Sequence, residues 1–482
     1  MKLEKTTTGL IIREPTDAVK QKCLQYFSLT KPVREFFIYS GNDPDNKPLF
    51  GKDRDVIYIT SGFLGIKDNV ISQLKSPHII QPPTPKHVDI KMNREPRSDL
   101  QRDCIKKLTT STKNKITVEL KPGVGKTFIS LYSISKLCLK PLIVTPSTLL
   151  KNQWIENLTD LGIDKNDIAT NIYDSPKKTF CVVTISSIEN ALRDDWEGLM
   201  KAIDDASFGI KVTDESHLHL KGLLKLDAIC NIKHNWYLSA TLGRSDASED
   251  RILNRALSDA DRFIGNSLYT EYQHEYVEVY LQDIWYHPST KLCEQTFKYG
   301  SKGLIRSTYY NMLMQYRDGK PFLNNIITMI KRTKSVVPYG KVLILVPIIA
   351  TIEAVIAEMK KDPYFHVFTV VGVDGSMSIS DKRQALESDI IISTSMSMGV
   401  GVDIADLAAV INFDQYASPI ITEQIFGRLR TRKDDKRTYY IDICDHVKQA
   451  KTIESWGRKR RVLIPYFPGA DPNIKNFPKI SV

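Results

Sequence analysis

The sequence predicts an α/β protein whose strands form parallel β-sheets, and three observations support this prediction. Short apolar runs alternate with helical patterns after residue 95, which is typical of parallel strands joined by crossover helices. A glycine-rich segment at 120–127 joins one apolar run to one helical pattern. Among the apolar runs of the first half, 181–185 is an expected strand. The alternation repeats from Lys341 onward, with a further strand expected at 367–371, so we expect a second parallel sheet in the C-terminal half.

The composition is that of a soluble globular protein without a disulfide framework or structural zinc. Hydrophobic residues make up 42% of the chain and charged residues 26%, which are ordinary values for this class. The seven cysteines are scattered without a CxxC pair, and the nine histidines show no metal-ligand spacing. This usage of cysteine and histidine indicates a reducing compartment.

Charge and hydropathy indicate a polyanionic partner and no membrane. Lysine plus arginine outnumber aspartate plus glutamate by 67 to 56, which gives a net charge of +11. Such an excess of positive charge favours binding to nucleic acid. The first residues lack the apolar core of a signal peptide, and no apolar run approaches the length of a membrane span. We therefore expect a cytoplasmic protein.

The sequence pattern of residues 1–80 predicts a small N-terminal α/β domain. Strands are expected at 9–13 and 56–60, and a helix at 17–27. Aromatic and basic side chains interleave throughout this region. They form either a surface for nucleic acid or the core of a small domain, and the sequence leaves both interpretations open.

Stacked prolines at 82–85 predict a linker over 81–95, because proline interrupts both helices and sheet ladders. Two larger domains are expected on its C-terminal side, at 96–270 and 271–482. The second ends in a basic segment with a run at 458–461. Contact with phosphate is one interpretation of this run, and a solvated charge cluster is the one that we favour.

The segment Gly123-Val124-Gly125-Lys126-Thr127 has the composition of a phosphate-binding P-loop. Glycines let backbone N–H groups surround phosphate oxygens, and the following helix directs its positive end at the same charge. Lys126 is expected to reach the β- and γ-phosphates, and the Thr127 hydroxyl to hold Mg²⁺. The full pattern has glycine where this chain has Leu120. A glycine-rich turn before an ordinary helix is the alternative.

An expected strand at 208–213 leads into Asp214-Glu215-Ser216-His217. Asp214 can organise the Mg²⁺ shell, and Glu215 can orient the water that attacks the γ-phosphate. Two acidic residues at a strand end are also common in turns. The catalytic interpretation is favoured because a P-loop precedes this tetrad and Ser239-Ala240-Thr241 follows it.

The order of these segments, followed by Gln424-x-x-Gly-Arg428, resembles the motif series of superfamily 2 helicases and translocases. The resemblance covers residues 96 to about 445. It implies two RecA-like lobes, with ATP and Mg²⁺ as cofactors and nucleic acid bound across both lobes. It also implies an adenine-reading role for Gln101, which lies upstream of the P-loop.

Other segments are similar to the family's motifs for nucleic-acid contact and coupling. They lie after expected strands in both lobes. The residues so assigned are Thr145, Pro146, Ser147, Thr184, Ser239, Thr241, Gly401 and Asp403.

The segment 424–432 is similar to the family's sixth motif, whose arginines offset charge on the transferred phosphoryl group. Gln424 and Arg428 occupy motif positions. The family's second arginine would fall at Thr431, so either Arg430 or Arg432 takes that role, and Arg430 is included among the expected catalytic residues.

Three features of the sequence resemble those of phage recombination helicases of the UvsW type. They are the DESH tetrad, Leu120, and the pattern of the N-terminal unit. This resemblance implies ATP-driven remodelling of branched or forked DNA, including fork regression and branch migration, in the cytoplasm of a host cell. An RNA helicase and a double-strand DNA translocase that displaces proteins or transcripts remain alternatives. A binding module with an inactive ATPase is disfavoured, because Lys126, Asp214, Glu215 and Arg428 are all present.

Overall fold

The chain divides into two units, Met1–Tyr269 and Thr270–Val482, and each is described by itself. A computed structural model describes residues 2–14, 16, 18–19, 56–60, 78–120, 124–240, 242, 247–265, 277–286, 305–315, 319–398, 404–415, 422, 425, 428–429, 437–447, 451–464 and 475–476. Among these residues, no helix combines the length and the apolar character that crossing a membrane requires.

The first unit begins with a four-stranded sheet in the order β3-β2-β1-β4. Its strands are β1 (Lys2–Lys5), β2 (Gly9–Arg13), β3 (Val56–Thr60) and β4 (His78–Ile79). β2 is antiparallel to β1 and β3, whereas β4 is parallel to β1. The predicted strands at 9–13 and 56–60 are confirmed. The predicted helix at 17–27 lies mostly outside the described residues.

The larger sheet of the first unit has seven parallel strands in the order β11-β5-β10-β9-β6-β8-β7. The strands are β5 (Lys115–Glu119), β6 (Pro141–Thr145), β7 (Ile168–Ala169), β8 (Phe180–Thr184), β9 (Ile210–Thr213), β10 (His234–Ser239) and β11 (Asp261–Ile264). The helices are α1 (Asp99–Thr110), α2 (Lys126–Leu137), α3 (Thr148–Asp160), α4 (Ile185–Asp194), α5 (Trp196–Ala206), α6 (Leu220–Ile229) and α7 (Ala247–Ala256), with short 3₁₀ turns at Lys165–Asp167 and Ile172–Lys177.

The central strands of this sheet are buried along nearly their whole length. β6 and β9 have no exposed residue, because helices that cover both faces of a parallel sheet favour continuous apolar strands. One boundary differs from the expectation of a strand at 181–185. Ile185 begins α4 because the Thr184 hydroxyl accepts a hydrogen bond from Ser187 N and caps that helix.

The N-terminal strands contact the larger sheet's helix layer. The Thr8 hydroxyl lies 2.6 Å from the carbonyl oxygen of Asp227 and 2.8 Å from that of Cys230, at the C-terminal end of α6, where helix carbonyls lack helical partners. Ile11 on β2 is fully buried in the same apolar cluster as Leu226 and Ile229. The described strands of residues 1–80 therefore share a core with residues 96–270, and the domain boundaries stay predictions.

The middle of the expected linker is held by backbone hydrogen bonds. Lys86 N donates to Ser207 O at 3.0 Å, and Val88 N donates to Cys138 O at 3.0 Å. Lys140 N in turn donates to Lys86 O at 2.9 Å. Residues 86–88 consequently lie along the first unit, which restricts any tether to the residues before them.

The second unit repeats the alternation around seven parallel strands in the order β14-β15-β13-β16-β17-β12-β18. The strands are β12 (Val277–Trp285), β13 (Lys341–Val346), β14 (Val370–Val373), β15 (Ile390–Thr394), β16 (Leu407–Asn412), β17 (Thr438–His446) and β18 (Lys475–Asn476). The helices are α8 (Arg306–Gln315), α9 (Lys320–Val336), α10 (Ile349–Lys361), α11 (Ile379–Ala385), α12 (Ser395–Met398) and α13 (Lys451–Leu463). The predicted fold class, with two parallel sheets after a small N-terminal unit, is confirmed.

The strand expected at 367–371 begins three residues later, as β14. Residues Pro363–Val367 form a 3₁₀ helix whose first turn contains Pro363, and Asp362 caps it by accepting from Tyr364 N at 3.1 Å. Proline fits the first turn of a helix because its missing N–H has no partner there. Because these capped residues are helical, the strand begins only at Val370.

The interpretation of 458–461 as a solvated charge cluster is wrong for two of its arginines. Arg460 is fully buried and donates to Asp442 Oδ1 at 2.6 Å and to Ile443 O at 2.7 Å. Arg461 donates to Asp283 Oδ1 at 2.5 Å and to Asp442 Oδ2 at 3.1 Å. Arg458, with 68% of its side chain exposed, and the exposed Lys459 follow the expectation. The face of helix α13 that carries Arg460 packs against β17.

We predict that Arg460→Ala destabilises the second unit much more than Arg458→Ala. Removing Arg460 leaves the buried carboxylate of Asp442 without one of its two guanidinium partners, and breaking a buried pair in this way costs about 3–5 kcal/mol. Exposed pairs such as Arg458 with Glu454 are worth about 1 kcal/mol or less. Urea unfolding of both variants measures the difference, and equal shifts of the transition midpoint would contradict the buried assignment.

Candidate active site

The predicted motifs of the first unit meet at one edge of the parallel sheet. The P-loop follows β5, Asp214 follows β9, and Ser239 ends β10. In the parallel register, Ser239 lies opposite Glu119, the last residue of β5. Thr213 lies opposite Val144 of β6. Ligands of open α/β sheets bind outside the carboxyl ends of the strands, so this edge is the candidate site.

Leu120 occupies the position where the P-loop pattern has glycine, and the structure shows why leucine fits. Its side chain is fully buried, and its backbone N–H donates to Ser239 O at 3.0 Å. A Cβ atom on Gly265 would lie 2.5 Å from Leu120 Cδ2. The absence of a side chain at Gly265 thus leaves the space that Leu120 uses.

Gly125 begins the helix that follows the P-loop. Its φ of +94° lies in the left-handed region, and it caps α2. A Cβ atom there would also lie 3.0 Å from Gln101 Nε2. Glycine adopts this conformation without steric cost, and the first turn of α2 then exposes the N–H groups that bind anions. Gly123 lies outside the described residues.

Lys126 and Glu215 face each other in the site. Lys126 Nζ lies 3.5 Å from Glu215 Oε1 and donates to Leu120 O at 3.3 Å. Their side chains are only 12% and 10% exposed. Glu215 has a φ of +46°, which is unusual for a residue with a side chain and is typical of functional sites. A mostly buried ammonium beside a carboxylate suits phosphate binding with an adjacent general base.

Asp214 is held by three described contacts. Its Oδ2 accepts from Trp154 Nε1 at 2.9 Å, its Oδ1 accepts from Glu215 N at 3.0 Å, and its own N–H donates to Val144 O at 2.9 Å. Burial raises the pKa of Asp214 to about 6, and the charge of Glu215 adds to this rise. The Lys126 ammonium and the Trp154 N–H act in the opposite direction.

The donor atoms at this edge fit Mg²⁺ bound with ATP. The Asp214 carboxylate and the Thr127 hydroxyl are hard oxygen ligands of the kind that Mg²⁺ prefers. Within the described part of the chain, the buried Glu215 Oε2 accepts no hydrogen bond. Such an oxygen is suited to a water at the γ-phosphate. Bound Mg²⁺ would neutralise the charge that accumulates on the phosphates.

His217 joins the acidic tetrad to the strand end at Ser239. Its Nδ1 lies 2.8 Å from Ser239 Oγ and 3.5 Å from Glu215 Oε2, and the ring is buried. One imidazole therefore lies between the Ser239 hydroxyl and the Glu215 carboxylate. Thr241 lies outside the described residues.

Gln101 is buried against the P-loop. Its Nε2 donates to Val124 O at 2.8 Å, and its Oε1 accepts from Arg97 N at 2.9 Å. The amide is thus engaged in holding the P-loop backbone. Its expected adenine-reading role stays a prediction.

The residues assigned to nucleic-acid contact in this unit lie side by side. Thr145 ends β6 directly opposite Thr184, which ends β8. Pro146 follows Thr145, and Ser147 caps α3 by accepting from Leu150 N at 3.3 Å. Two helix N-termini therefore start at one edge of the sheet, an arrangement that suits backbone phosphates. Contact with nucleic acid itself stays a prediction.

Most of the expected site residues of the second unit fall on positions that the structure does not describe. Gln424, Arg430, Arg432, Gly401 and Asp403 lie outside the described residues. Arg428 is described: its side chain is buried, and its N–H donates to Ile425 O at 3.2 Å. Its role in hydrolysis stays a prediction.

The second unit also brings together Asp283, Cys444 and His446, whose ligand atoms lie within 4.8 Å of one another. This cluster is a poor metal site for two reasons. Arg461 donates to the Asp283 carboxylate at 2.5 Å, and burial raises the pKa of Cys444 to about 12. A guanidinium and an un-ionised thiol both oppose cation binding.

Sequence reasoning missed Trp154 as a partner of Asp214. Trp154 lies on the buried face of α3 together with Leu150, Ile155 and Leu158, and this periodicity predicts a core residue. The contact arises only because β6 and β9 are neighbours, which the sequence does not reveal.

Two protein-family models match the chain. Residues 94–244 match the res subunit of type III restriction enzymes, and residues 323–432 match the helicase conserved C-terminal domain. The first match contains the P-loop, DESH and Ser239, and the second contains Arg428. These are the domains of a superfamily 2 helicase.

Several proteins are similar in sequence. A candidate ATP-dependent RNA helicase of African swine fever virus, QP509L, is 30% identical over 184 residues, which span 36% of this chain and 35% of that protein. The transcript termination protein A18 of Yaba-like disease virus is 24% identical over 375 residues, or 71% of this chain and 72% of that protein. Rad25, a candidate DNA 3'-5' helicase of Haloarcula marismortui, is 27% identical over 155 residues, or 32% of this chain and 24% of that protein.

A solved structure confirms the fold. The complex of S. cerevisiae Dbp5 bound to RNA and ADP BeF3 is similar with a TM-score of 0.50 and 16% sequence identity, over 79% of this chain and 89% of that chain. The expected pair of RecA-like lobes is thereby confirmed. The matched domains and the names of the relatives support an ATP-hydrolysing helicase of superfamily 2, whereas the UvsW-type assignment stays a prediction.

We predict that Lys126→Ala lowers ATP turnover by at least about 100-fold, because it removes a charge that stabilises the transition state. Glu215→Gln should also abolish turnover but retain ATP binding, since Lys126 and Thr127 remain. Lys136→Ala is the matched control, because Lys136 is an exposed lysine at the other end of the same helix. Phosphate release and equilibrium binding of a fluorescent ATP analogue measure both properties. Near-normal turnover in either site variant would overturn the assignment.

Proposed function

We propose that this chain, a superfamily 2 helicase by its two matched domains, uses ATP hydrolysis to move along double-stranded DNA and to displace a transcript from it. Lys126 and Thr127 bind the phosphates and Mg²⁺, Asp214 completes the Mg²⁺ shell, and Glu215 orients the attacking water. Arg428 supplies charge to the transferred phosphoryl group.

The similarity to the transcript termination protein A18 carries the proposal, because the alignment spans 71% of this chain and 72% of that protein. The shared region therefore includes far more than a nucleotide-binding segment. The viral RNA helicase relatives are spanned over about a third of their length, so their activity is less directly transferable.

The geometry of the first unit supports a motor that holds nucleic acid by its backbone. Thr145 is buried and its hydroxyl donates to Val183 O at 3.3 Å, so it stabilises the strand end. The hydroxyls of Ser147 and Thr184 are neutral and cap helix N-termini. Such groups contact phosphates and carry no base-specific information. A motor that tracks a duplex without regard to sequence needs contacts of this kind. The net charge of +11 adds a general attraction to DNA.

Remodelling of branched or forked DNA is the second candidate. It is supported by the resemblance of DESH, Leu120 and the N-terminal unit to UvsW-type helicases. The similarity to Rad25, whose name describes a DNA helicase, also favours DNA as the substrate. In this reading, residues 1–80 form a DNA-binding domain, and residues 96–270 and 271–482 form the motor.

The proposal predicts which substrates respond to ATP. The protein should displace the third strand of a DNA triplex and release RNA from a stalled transcription complex. It should leave a four-way DNA junction and an RNA duplex intact. Lys126→Ala is the negative control on every substrate, and Lys136→Ala is the positive control.

Each alternative function predicts a different result with these substrates. ATP-dependent opening of the four-way junction would favour branched-DNA remodelling and contradict a pure translocase. Preferential unwinding of the RNA duplex, with ATPase stimulation by RNA over DNA, would identify an RNA helicase. An ATPase that no nucleic acid stimulates would overturn the motor proposal altogether.

A further inference from the structure

Two tryptophans are fully enclosed in the first unit, and their indole N–H groups differ in one respect. Trp154 on α3 is 1% exposed, and Trp236 on β10 is 0% exposed. The Trp154 N–H donates to Asp214 Oδ2 at 2.9 Å. Among the described residues, the Trp236 N–H has no hydrogen-bond partner. Burial of an indole in this unit therefore does not by itself supply an acceptor for its N–H, and packing alone does not account for the hydrogen bond from Trp154 to Asp214.

The bond from Trp154 leaves the Asp214 carboxylate little freedom. One oxygen accepts the indole N–H, the other accepts Glu215 N at 3.0 Å, and the residue's backbone is tied to Val144 O. A carboxylate with both oxygens bonded and 7% exposure keeps one orientation. Its remaining lone pairs then point in fixed directions, and a metal ligand needs this property.

Indole is well suited to this task because it donates and never accepts. Its N–H is neutral, so it fixes the carboxylate without cancelling the negative charge that Mg²⁺ requires. An arginine or lysine in its place would compete with the cation. The position of the donor is also rigid, since Ser147 caps α3 and the helix runs unbroken to Trp154.

We propose that Trp154 is a positioning residue, which orients Asp214 through the indole N–H and thereby sets the affinity of the nucleotide site for its divalent cation. The proposal rests on the proposed function of this site, in which Asp214 belongs to the Mg²⁺ shell. Trp154 itself touches neither the cation nor the nucleotide.

The test compares Trp154→Phe with Trp236→Phe. Both substitutions replace a buried indole by a smaller ring, and only the first removes a hydrogen bond to Asp214. Binding of Mn²⁺ is measured by electron paramagnetic resonance with a non-hydrolysable ATP analogue, so the readout needs no turnover. Loss of a group that orients a metal ligand lowers metal affinity by about 10–100-fold, and we expect a loss in this range for Trp154→Phe alone.

Nucleotide binding in the presence of a chelator separates positioning from folding. Trp154→Phe should bind the analogue without metal as well as wild type does, since Lys126 and Gly125 remain. Equal Mn²⁺ affinities of the two variants, or equal losses in both, would overturn the proposal. If wild type itself shows no metal-dependent nucleotide binding, the proposed function fails rather than this inference.

A measurement on the wild-type protein keeps the proposal falsifiable if Trp154→Phe does not fold. The chain has five tryptophans, so ¹⁵N-labelled tryptophan gives five indole signals. Replacing the other four one at a time assigns Trp154 by elimination. Its signal should shift when Mg²⁺ is added to the analogue complex, and the signal of Trp236 should not. An unmoved Trp154 signal would contradict the proposal.

Discussion

The alignment of β9 with β10 is the constraint on which the candidate site depends. The two strands pair in parallel from Ile210 opposite His234 to Thr213 opposite Tyr237. Ser216 N then donates to Leu238 O at 2.9 Å, which folds the acidic tetrad back against the end of β10. Leu120 N donates to Ser239 O at 3.0 Å and brings the P-loop to the same strand. The residues predicted to bind phosphate, to bind metal and to couple hydrolysis to nucleic acid are thus held by the same strand.

Buried polar groups reinforce this alignment. Lys211 of β9 pairs with Asp227 of α6, and both side chains are fully buried. Tyr237 of β10 donates to the other oxygen of Asp227 at 2.7 Å, and the pKa of this tyrosine lies well above its usual range because of burial and the Asp227 charge. Such a network stabilises one arrangement, because removing any member leaves a buried group without its partner. The carbonyl of Asp227 also accepts from Thr8, which extends the support to the N-terminal strands.

The sequence predicted the fold class and the grouping of the first-unit motifs because both depend on local signals. Apolar runs of strand length, a glycine-rich junction and carboxylates after a strand are each readable within a few residues. Parallel topology then places all of their C-terminal ends at one edge. Capping also explains the small errors at Ile185 and Val370, since side-chain hydrogen bonds decided where those elements begin.

Contacts across the sheet could not be predicted in this way. Trp154 reaches Asp214 because β6 and β9 are adjacent, although 60 residues separate the two in sequence. Arg460 has the sequence neighbourhood of a solvated cluster but is buried, because Gly457 lets α13 approach β17: a Cβ atom there would lie 2.6 Å from Cys444 Sγ. Both pairs of residues are separated in sequence. Their contacts could be recognised only once the strand order of each sheet was known.

We infer that the carboxyl edge of the first unit's sheet binds nucleotide. Hydrogen–deuterium exchange with and without Mg²⁺ and a non-hydrolysable ATP analogue tests it most directly, because the method reports on backbone N–H groups. We expect slower exchange in peptides that contain 124–130 and 213–217, with no change at 86–90. Saturation of the nucleotide site with no added protection in those two segments would contradict the claim.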